Sequence, residues 1–341
     1  MKFLLELPKT FEHGTRNGLA VESKTALGRL KKMGRLACGQ FLKLGTSLMT
    51  FSVGKYCREI AYWNLKRTAK FVVQTVNGMK MVLPLDDGGI GRDLYFFGAR
   101  EPSSTAFVRD SGMLNPGDVV LEVGANIGYY ALLESKLVGP SGLIYAVEPV
   151  RGNFRLLRKN LELNGCTNVE AYRLAMGSQR GKVKIHVSTQ CNLSSIKKIP
   201  EFTYSGEEEV DVLTCDEFLE DKRTPTLVRM DVEGFELEIL RGMRNTLNQV
   251  DKLFVEVHGD LLSREELGEF FQILDEHGFK VEVAFWEYPT RERNSFAEYL
   301  AVSLGWKYPT YHLKPDMKTL ELLLSRRVIQ PSAPQVFFTR T

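Results

Sequence analysis

Asn115-Pro-Gly-Asp-Val-Val-Leu-Glu-Val-Gly-Ala-Asn-Ile-Gly-Tyr-Tyr130 decides the fold. Asn115-Pro-Gly-Asp118 is a tight turn, and Val119–Val123 is a short apolar run of strand length. Gly124 and Gly128 break that run before a helical stretch, Tyr129–Leu137. Glycines there let backbone approach a ligand without a Cβ in the way. The helix start presents free N–H groups and the positive end of a dipole, which suits an anionic group. Downstream the alternation continues: Leu143–Val147 reads as a strand, Asn153–Asn164 as a helix, and Val169–Ala175 and Val183–Val187 as strands. Leu227–Met230 is a strand running into a helix from Glu236 to about Leu247, and Leu253–Val257 is another strand. Ser263-x-x-Glu266 is a capping box opening a helix to about His277, and Val281–Phe285 with Val336–Thr339 forms a last strand pair. Upstream, Phe71–Val76 and Met79–Leu83 flank Asn77-Gly78, a hairpin signal. The pattern predicts an α/β doubly wound, mostly parallel sheet with helices on both faces and its ligand at the carboxyl ends of the strands.

The turn does not carry a dinucleotide fingerprint. Counting G-x-G-x-x-G from Gly124 places Asn126 and Tyr129 at the second and third glycine positions, where close approach to a pyrophosphate is needed. A smaller anion, such as an amino acid carboxylate, fits better, and Glu122 is placed to meet an ammonium. Glu148 ends the next strand, where an acid accepts hydrogen bonds from ribose hydroxyls. A nucleoside carrying an amino acid is S-adenosylmethionine (SAM).

In Arg229-Met-Asp-Val-Glu-Gly-Phe-Glu236, a strand ends in Asp231 and Glu233-Gly234 turns into a helix, so carboxylates gather at the ligand-bearing edge. The Asn/Asp-Pro-Pro-aromatic turn of amine-methylating enzymes is missing here, which argues against base amines as acceptor. In Phe254-Val-Glu-Val-His258, Glu256 and His258 share one face of a strand end. A hydroxyl acceptor must lose its proton, and His258 is the expected base, with Asp231 or Glu233 orienting it or the acceptor. The alternative is a structural histidine bonded to backbone. No metal is assigned, because no ligand spacing singles out Asp231, Glu256 and His258.

These motifs, together with Glu148-Pro149, Ala175-Met-Gly177, Asp86-Asp-Gly-Gly and Glu101-Pro102, fall in the order of the FkbM-type SAM-dependent methyltransferases, which the sequence resembles over about residues 80–288. The resemblance implies a class I methyltransferase fold with a seven-stranded sheet and O-methylation, often of a sugar or polyketide hydroxyl. It implies that Glu122, Gly124, Asn126, Gly128 and Glu148 line the SAM site, with Ala175 and Met176 near the adenine. Glu122 stands where Asp is commoner, and the stretch between Tyr288 and Val336 is longer than the family's.

With 43% hydrophobic and 26% charged residues the 341-residue chain can bury a large core, which excludes a mainly disordered protein. The net charge of +3 is uneven: Lys24–Lys70 holds eleven basic residues and one acid, leaving −7 elsewhere. That arm reads three ways: a solvated helical extension, a contact with an anionic membrane, or an RNA clamp using Phe41, Phe51, Tyr56, Tyr62 and Trp63. Five scattered cysteines form no disulfide or zinc pattern, and no transmembrane span is evident, so a cytoplasmic protein is expected, with peripheral membrane contact open. The expected organisation is a basic extension over 1–70, a hairpin and lead-in over 71–117, and a catalytic domain over 118–341. The acceptor is expected to be a sugar hydroxyl in a glycan, glycolipid or secondary metabolite. An RNA methyltransferase and a non-catalytic SAM-binding scaffold are the alternatives.

Overall fold

The computed structural model describes residues 57, 59–286, 311–328 and 333–340. A helix over residues 59–68 (α1) precedes the hairpin of Phe71–Val76 (β1) and Met79–Pro84 (β2), then Ile90–Phe97 (α2) and Pro102–Asp110 (α3). The alternating region follows as Val119–Val123 (β3), Tyr129–Val138 (α4), Leu143–Val147 (β4), Arg151–Leu163 (α5) and Val169–Tyr172 (β5). Ala175–Met176 (β6), Gly181–Ser188 (β7) and Tyr204–Leu213 (β8) form a separate three-stranded sheet. Cys215–Leu219 (α6), Leu227–Met230 (β9), Glu236–Arg241 (α7), Arg244–Leu247 (α8), Lys252–Glu256 (β10) and Arg264–Glu276 (α9) come next. Phe279–Trp286 (β11), Tyr311–Leu313 (β12), Met317–Ser325 (α10) and Gln335–Arg340 (β13) complete the described elements.

The main sheet has the order β12-β11-β13-β10-β9-β3-β4-β5. From β5 to β10 every pairing is parallel, and β13 enters antiparallel between β10 and β11. This is the class I methyltransferase architecture. Eight strands are present rather than seven, because β12 adds an edge to β11, pairing Ala284 with Leu313. The chain leaves β3 towards β5 on one side and returns through β9 and β10 on the other, so the order reverses between β3 and β9. Ligands of open α/β sheets bind at such a point.

Both faces of the sheet are covered, which is why its strands are runs of apolar residues rather than alternations. Leu121, Val123, Met230 and Val255 pack with Leu240, Phe270 and Leu274, while Val120, Ile144 and Phe254 share the opposite core with Ile127, Leu132 and Leu157. The helix expected from Glu236 to Leu247 divides at Gly242, where a Cβ would lie 2.0 Å from the Gly177 carbonyl oxygen. The chain therefore turns tightly beside the small sheet instead of continuing as one helix.

The expected domain boundaries do not coincide with breaks in packing. Met81 and Leu83 of the hairpin enter the core with Ile127 and Leu157. The backbone N–H groups of Lys80 and Val82 donate to the side chains of Asn164 and Asn160 at 3.0 and 2.7 Å. On α1, Tyr62 is buried and donates its hydroxyl to the Leu85 carbonyl at 2.9 Å. Residues 24–56 of the basic arm, with Phe41, Phe51 and Tyr56, lie outside the described residues, as does most of 289–335. Among the described residues no helix is long and apolar enough to cross a membrane.

Candidate active site

Gly124 leaves β3 with φ +85°, and a Cβ there would sit 2.0 Å from the Asp231 carbonyl oxygen. The turns after β3 and β9 therefore touch, and only glycine allows it. Beyond them opens a cavity of about 900 Å³, part of it open solvent, lined among others by Asn126, Glu148, Met176, Cys191, Asp231 and Glu233. Gly124, Glu122 and Ala175 also line it; Gly128, expected on the lining, is not part of it, and instead N-caps α4 against Leu157, whose Cδ1 a Cβ there would meet at 2.8 Å.

At the inner end, Glu148 is buried and accepts hydrogen bonds from the backbone N–H groups of Asn126 and Val150, each at 2.9 Å. Burial pushes its carboxyl up to about 7, against the pull of those two amides. The Asn126 side chain donates to the Cys191 carbonyl at 3.0 Å, and Asn153 donates to the same oxygen at 2.8 Å. Asp87 accepts from the backbone N–H groups of Gly91 and Cys191 at 2.7 and 2.9 Å. The roof of the cavity is thus the 191–196 loop, stapled to the glycine turn by polar side chains from three segments. Sequence reasoning found no signal in that loop, since its ties run to residues 38 to 104 positions away.

Glu122 has a different partner from the ligand ammonium expected of it. It is buried mid-strand opposite Arg229, with Arg229 Nη1 2.7 Å from its Oε1. The guanidinium lies 3.6 Å from the Tyr130 ring centroid. Its second carboxylate oxygen, Oε2, has no hydrogen-bond partner. Arg229 itself was not singled out in the sequence, because an arginine inside a strand of Leu, Val and Met reads as an outward residue until its register partner is known.

Behind Asp231 and Glu233 stands an acidic cluster. His258 Nδ1 lies 2.6 Å from Glu236 Oε1, while Nε2 faces Glu233 Oε2 at 3.4 Å and Glu256 Oε1 at 3.9 Å. Burial opposes a charge on this imidazole, but the carboxylates of Glu236 and Glu233 outweigh it and hold its pKa well above the usual histidine range. His258 is therefore a poor free base as placed: it is 5% exposed and both ring nitrogens face carboxylates. Glu233 lines the cavity directly, from a turn residue with φ +51°. Glu101 is drawn in as well; burial raises its pKa, but the charges of Arg100 and Arg229 dominate and hold it below the usual value. Tyr130 donates to its Oε2 at 2.8 Å.

Residues 122–281 match the family described as "Methyltransferase FkbM domain". The hexuronic acid methyltransferase AglP of Haloferax volcanii is 32% identical over 143 residues, which are 41% of this chain and 56% of that protein. The chain thus spans little more than half the length of that relative. Methyltransferase 1 of Beauveria bassiana is 26% identical over 191 residues, 48% of this chain and 73% of its own. The crystal structure of the methyltransferase FkbM of Methylobacillus flagellatus shows 18% identity over 57% of this chain and 47% of that one, with a TM-score of 0.39.

The cofactor of an FkbM methyltransferase domain is SAM, and the residues of this chain fit it. The cavity joins the buried acid Glu148, the apolar side chains of Val150, Met176 and Ile185, and the glycine turn at the start of α4, a polar and an apolar part such as a nucleoside carrying an amino acid requires. The backbone N–H groups of Gly124 and Ala125 donate to the Val147 carbonyl, that of Asn126 to Glu148, that of Ile127 to the Asn126 side chain and that of Gly128 to the Ala125 carbonyl, so the turn is held in place by its own hydrogen bonds.

Proposed function

We propose that this protein is a SAM-dependent O-methyltransferase whose acceptor is a sugar hydroxyl. The observation that supports the reading best is the carboxylate cluster beside the cavity, with Asp231 and Glu233 on its wall. Carboxylates at that position can accept hydrogen bonds from several hydroxyls and take up a proton, as a polyol acceptor requires. The name of the Haloferax relative, a hexuronic acid methyltransferase, points to the same acceptor class.

SAM supplies a methyl group already attached to a good leaving group, so the protein has to align the acceptor oxygen and remove its proton. Asp231 and Glu233 hold the acceptor on the cavity wall. Glu233 takes the proton, and His258, fixed by Glu236, orients Glu233 from behind. This exchanges the roles expected from sequence, because Glu233 reaches the cavity while His258 sits beneath it.

The test is to incubate the full chain with methyl-labelled SAM and fractionated host extract. Base-stable label in a glycan or glycolipid fraction is the expected result. Label that is sensitive to ribonuclease overturns the sugar reading, and label confined to protein carboxyls overturns ether formation.

A further inference from the structure

We infer that Asp231, Glu256 and His258 form a binding site for a hard divalent cation, Mg²⁺ or Mn²⁺, set into the cavity wall behind Asp231. The inference rests on the methyltransferase reading only for what the cation would do, not for whether it binds.

One carboxylate oxygen each from Asp231 and Glu256 and one ring nitrogen of His258 lie within 4.8 Å of one another. The three residues end β9 and β10 or follow directly, so two adjacent strands of a rigid sheet set their spacing. Bonds of about 2.0–2.1 Å to Mg²⁺ allow two ligand atoms up to about 4.2 Å apart, and His258 Nε2 lies 3.9 Å from Glu256 Oε1.

The surroundings of each ligand point the same way. His258 uses Nδ1 on the fully buried Glu236, which fixes the ring and directs Nε2 into the carboxylate cluster. Histidines that bind metals through one nitrogen commonly give the other to a carboxylate in this manner. Glu256 has Oε2 occupied by Gln335 Nε2 at 2.8 Å, which leaves Oε1 as the oxygen facing His258. Gln335 enters on antiparallel β13, is 2% exposed, and donates Nε2 to Glu101 as well, at 3.3 Å, while its Oε1 has no hydrogen-bond donor. A buried amide oxygen without a donor is costly unless a cation or a cation-bound water meets it.

Charge is also uncompensated. Glu101, Asp231, Glu233, Glu236 and Glu256 converge here, while the described cations among them are Arg100, held by Glu101, Arg229, held by Glu122 with Asp231 Oδ2 at 3.9 Å from its Nη2, and His258, held by Glu236. Two carboxylates and one imidazole form a set without thiolate, which suits Mg²⁺ or Mn²⁺ better than a soft metal. A cation there would take the place of the proton on His258 Nε2, so that Nε2 no longer donates to Glu233, and would meet the cavity through Asp231.

The experiment uses the full chain, stripped with EDTA and dialysed, and titrated with MnCl₂ alone by calorimetry and by the loss of the free Mn²⁺ electron paramagnetic signal. One Mn²⁺ per chain is expected, competed by Mg²⁺. Asp231→Asn and Glu256→Gln should each weaken it at least tenfold, whereas Glu148→Gln should bind Mn²⁺ like the parent. Circular dichroism and thermal melting verify that each variant folds. No saturable binding at millimolar Mn²⁺, or equal binding by the Asp231→Asn, Glu256→Gln double variant, overturns the site. SAM titration in parallel separates the two ideas: SAM binding without Mn²⁺ removes the cation alone, and Mn²⁺ binding without SAM removes the methyltransferase reading alone.

Discussion

Arg229 and Glu122 face each other across adjacent parallel strands, register partners whose side chains meet at 2.7 Å inside the sheet. Both are almost fully buried, at 2% and 1% exposure. Losing one partner of such a pair strands a charge in low dielectric and typically costs about 3–5 kcal/mol. Glu122→Ala or Arg229→Met is therefore expected to lower unfolding stability by about that amount. Urea denaturation of the full chain measures it, and replacing both residues by apolar ones should recover much of the loss. A single variant as stable as the parent would show that the pair is not what holds this part of the sheet.

Gly124→Ala is expected to be more damaging than an ordinary glycine-to-alanine change. The residue has φ +85° and its new Cβ would meet the Asp231 carbonyl at 2.0 Å, so the turn must open. SAM affinity should fall by at least tenfold, with a melting temperature several degrees lower. Calorimetry and a thermal scan would report both.

Glu148 makes two pH predictions of opposite sign. Its pKa rises from an ordinary 4.5 to about 7 on folding, so the folded chain holds this proton more tightly than the unfolded one. That contribution to stability is present in full below about 4.5 and is lost as pH rises through about 7. SAM affinity should move the other way, because the carboxylate is the better acceptor for ribose hydroxyls and becomes populated as pH rises through about 7. Calorimetric titration between pH 5.5 and 8.5 tests this. Glu148→Gln should weaken SAM by about 1–3 kcal/mol and flatten the profile; an unchanged profile removes Glu148 from the ribose role.

Glu233 and His258 separate by kinetics. Glu233→Gln is expected to reduce kcat by about 10²–10⁴-fold with little change in SAM affinity, as for loss of a general base. His258→Gln should lower kcat less, since it removes the support and leaves the acceptor group in place. If Glu233→Gln keeps full turnover while His258→Gln abolishes it, the roles return to the histidine as base.

Much of this was readable along the chain because it depends on neighbours. Asn115–Tyr130 spells turn, buried strand, glycine turn and helix in order, and Asn77-Gly78 (φ 49° and 76°) fixes the hairpin. The capping box at Ser263 and Glu266 forms as its spacing requires. The strand-end positions of Glu148, Asp231 and His258 follow from the same alternation. What tertiary structure decided is who meets whom across the sheet and over the cavity. Glu122 was legible as an acid at a strand end, but only the β3–β9 register gives it Arg229 instead of a ligand. The hairpin was legible as a hairpin, but only Asn160 and Asn164 on α5 show that it belongs to the catalytic core. The roles of Glu233 and His258 turn on depth: a period of two places Glu256 and His258 on one face, and only packing shows that His258 lies beneath the cavity wall. Local backbone preferences act over a few residues and are written in order; burial and charge pairing act between residues a hundred positions apart, and the fold chooses those partners.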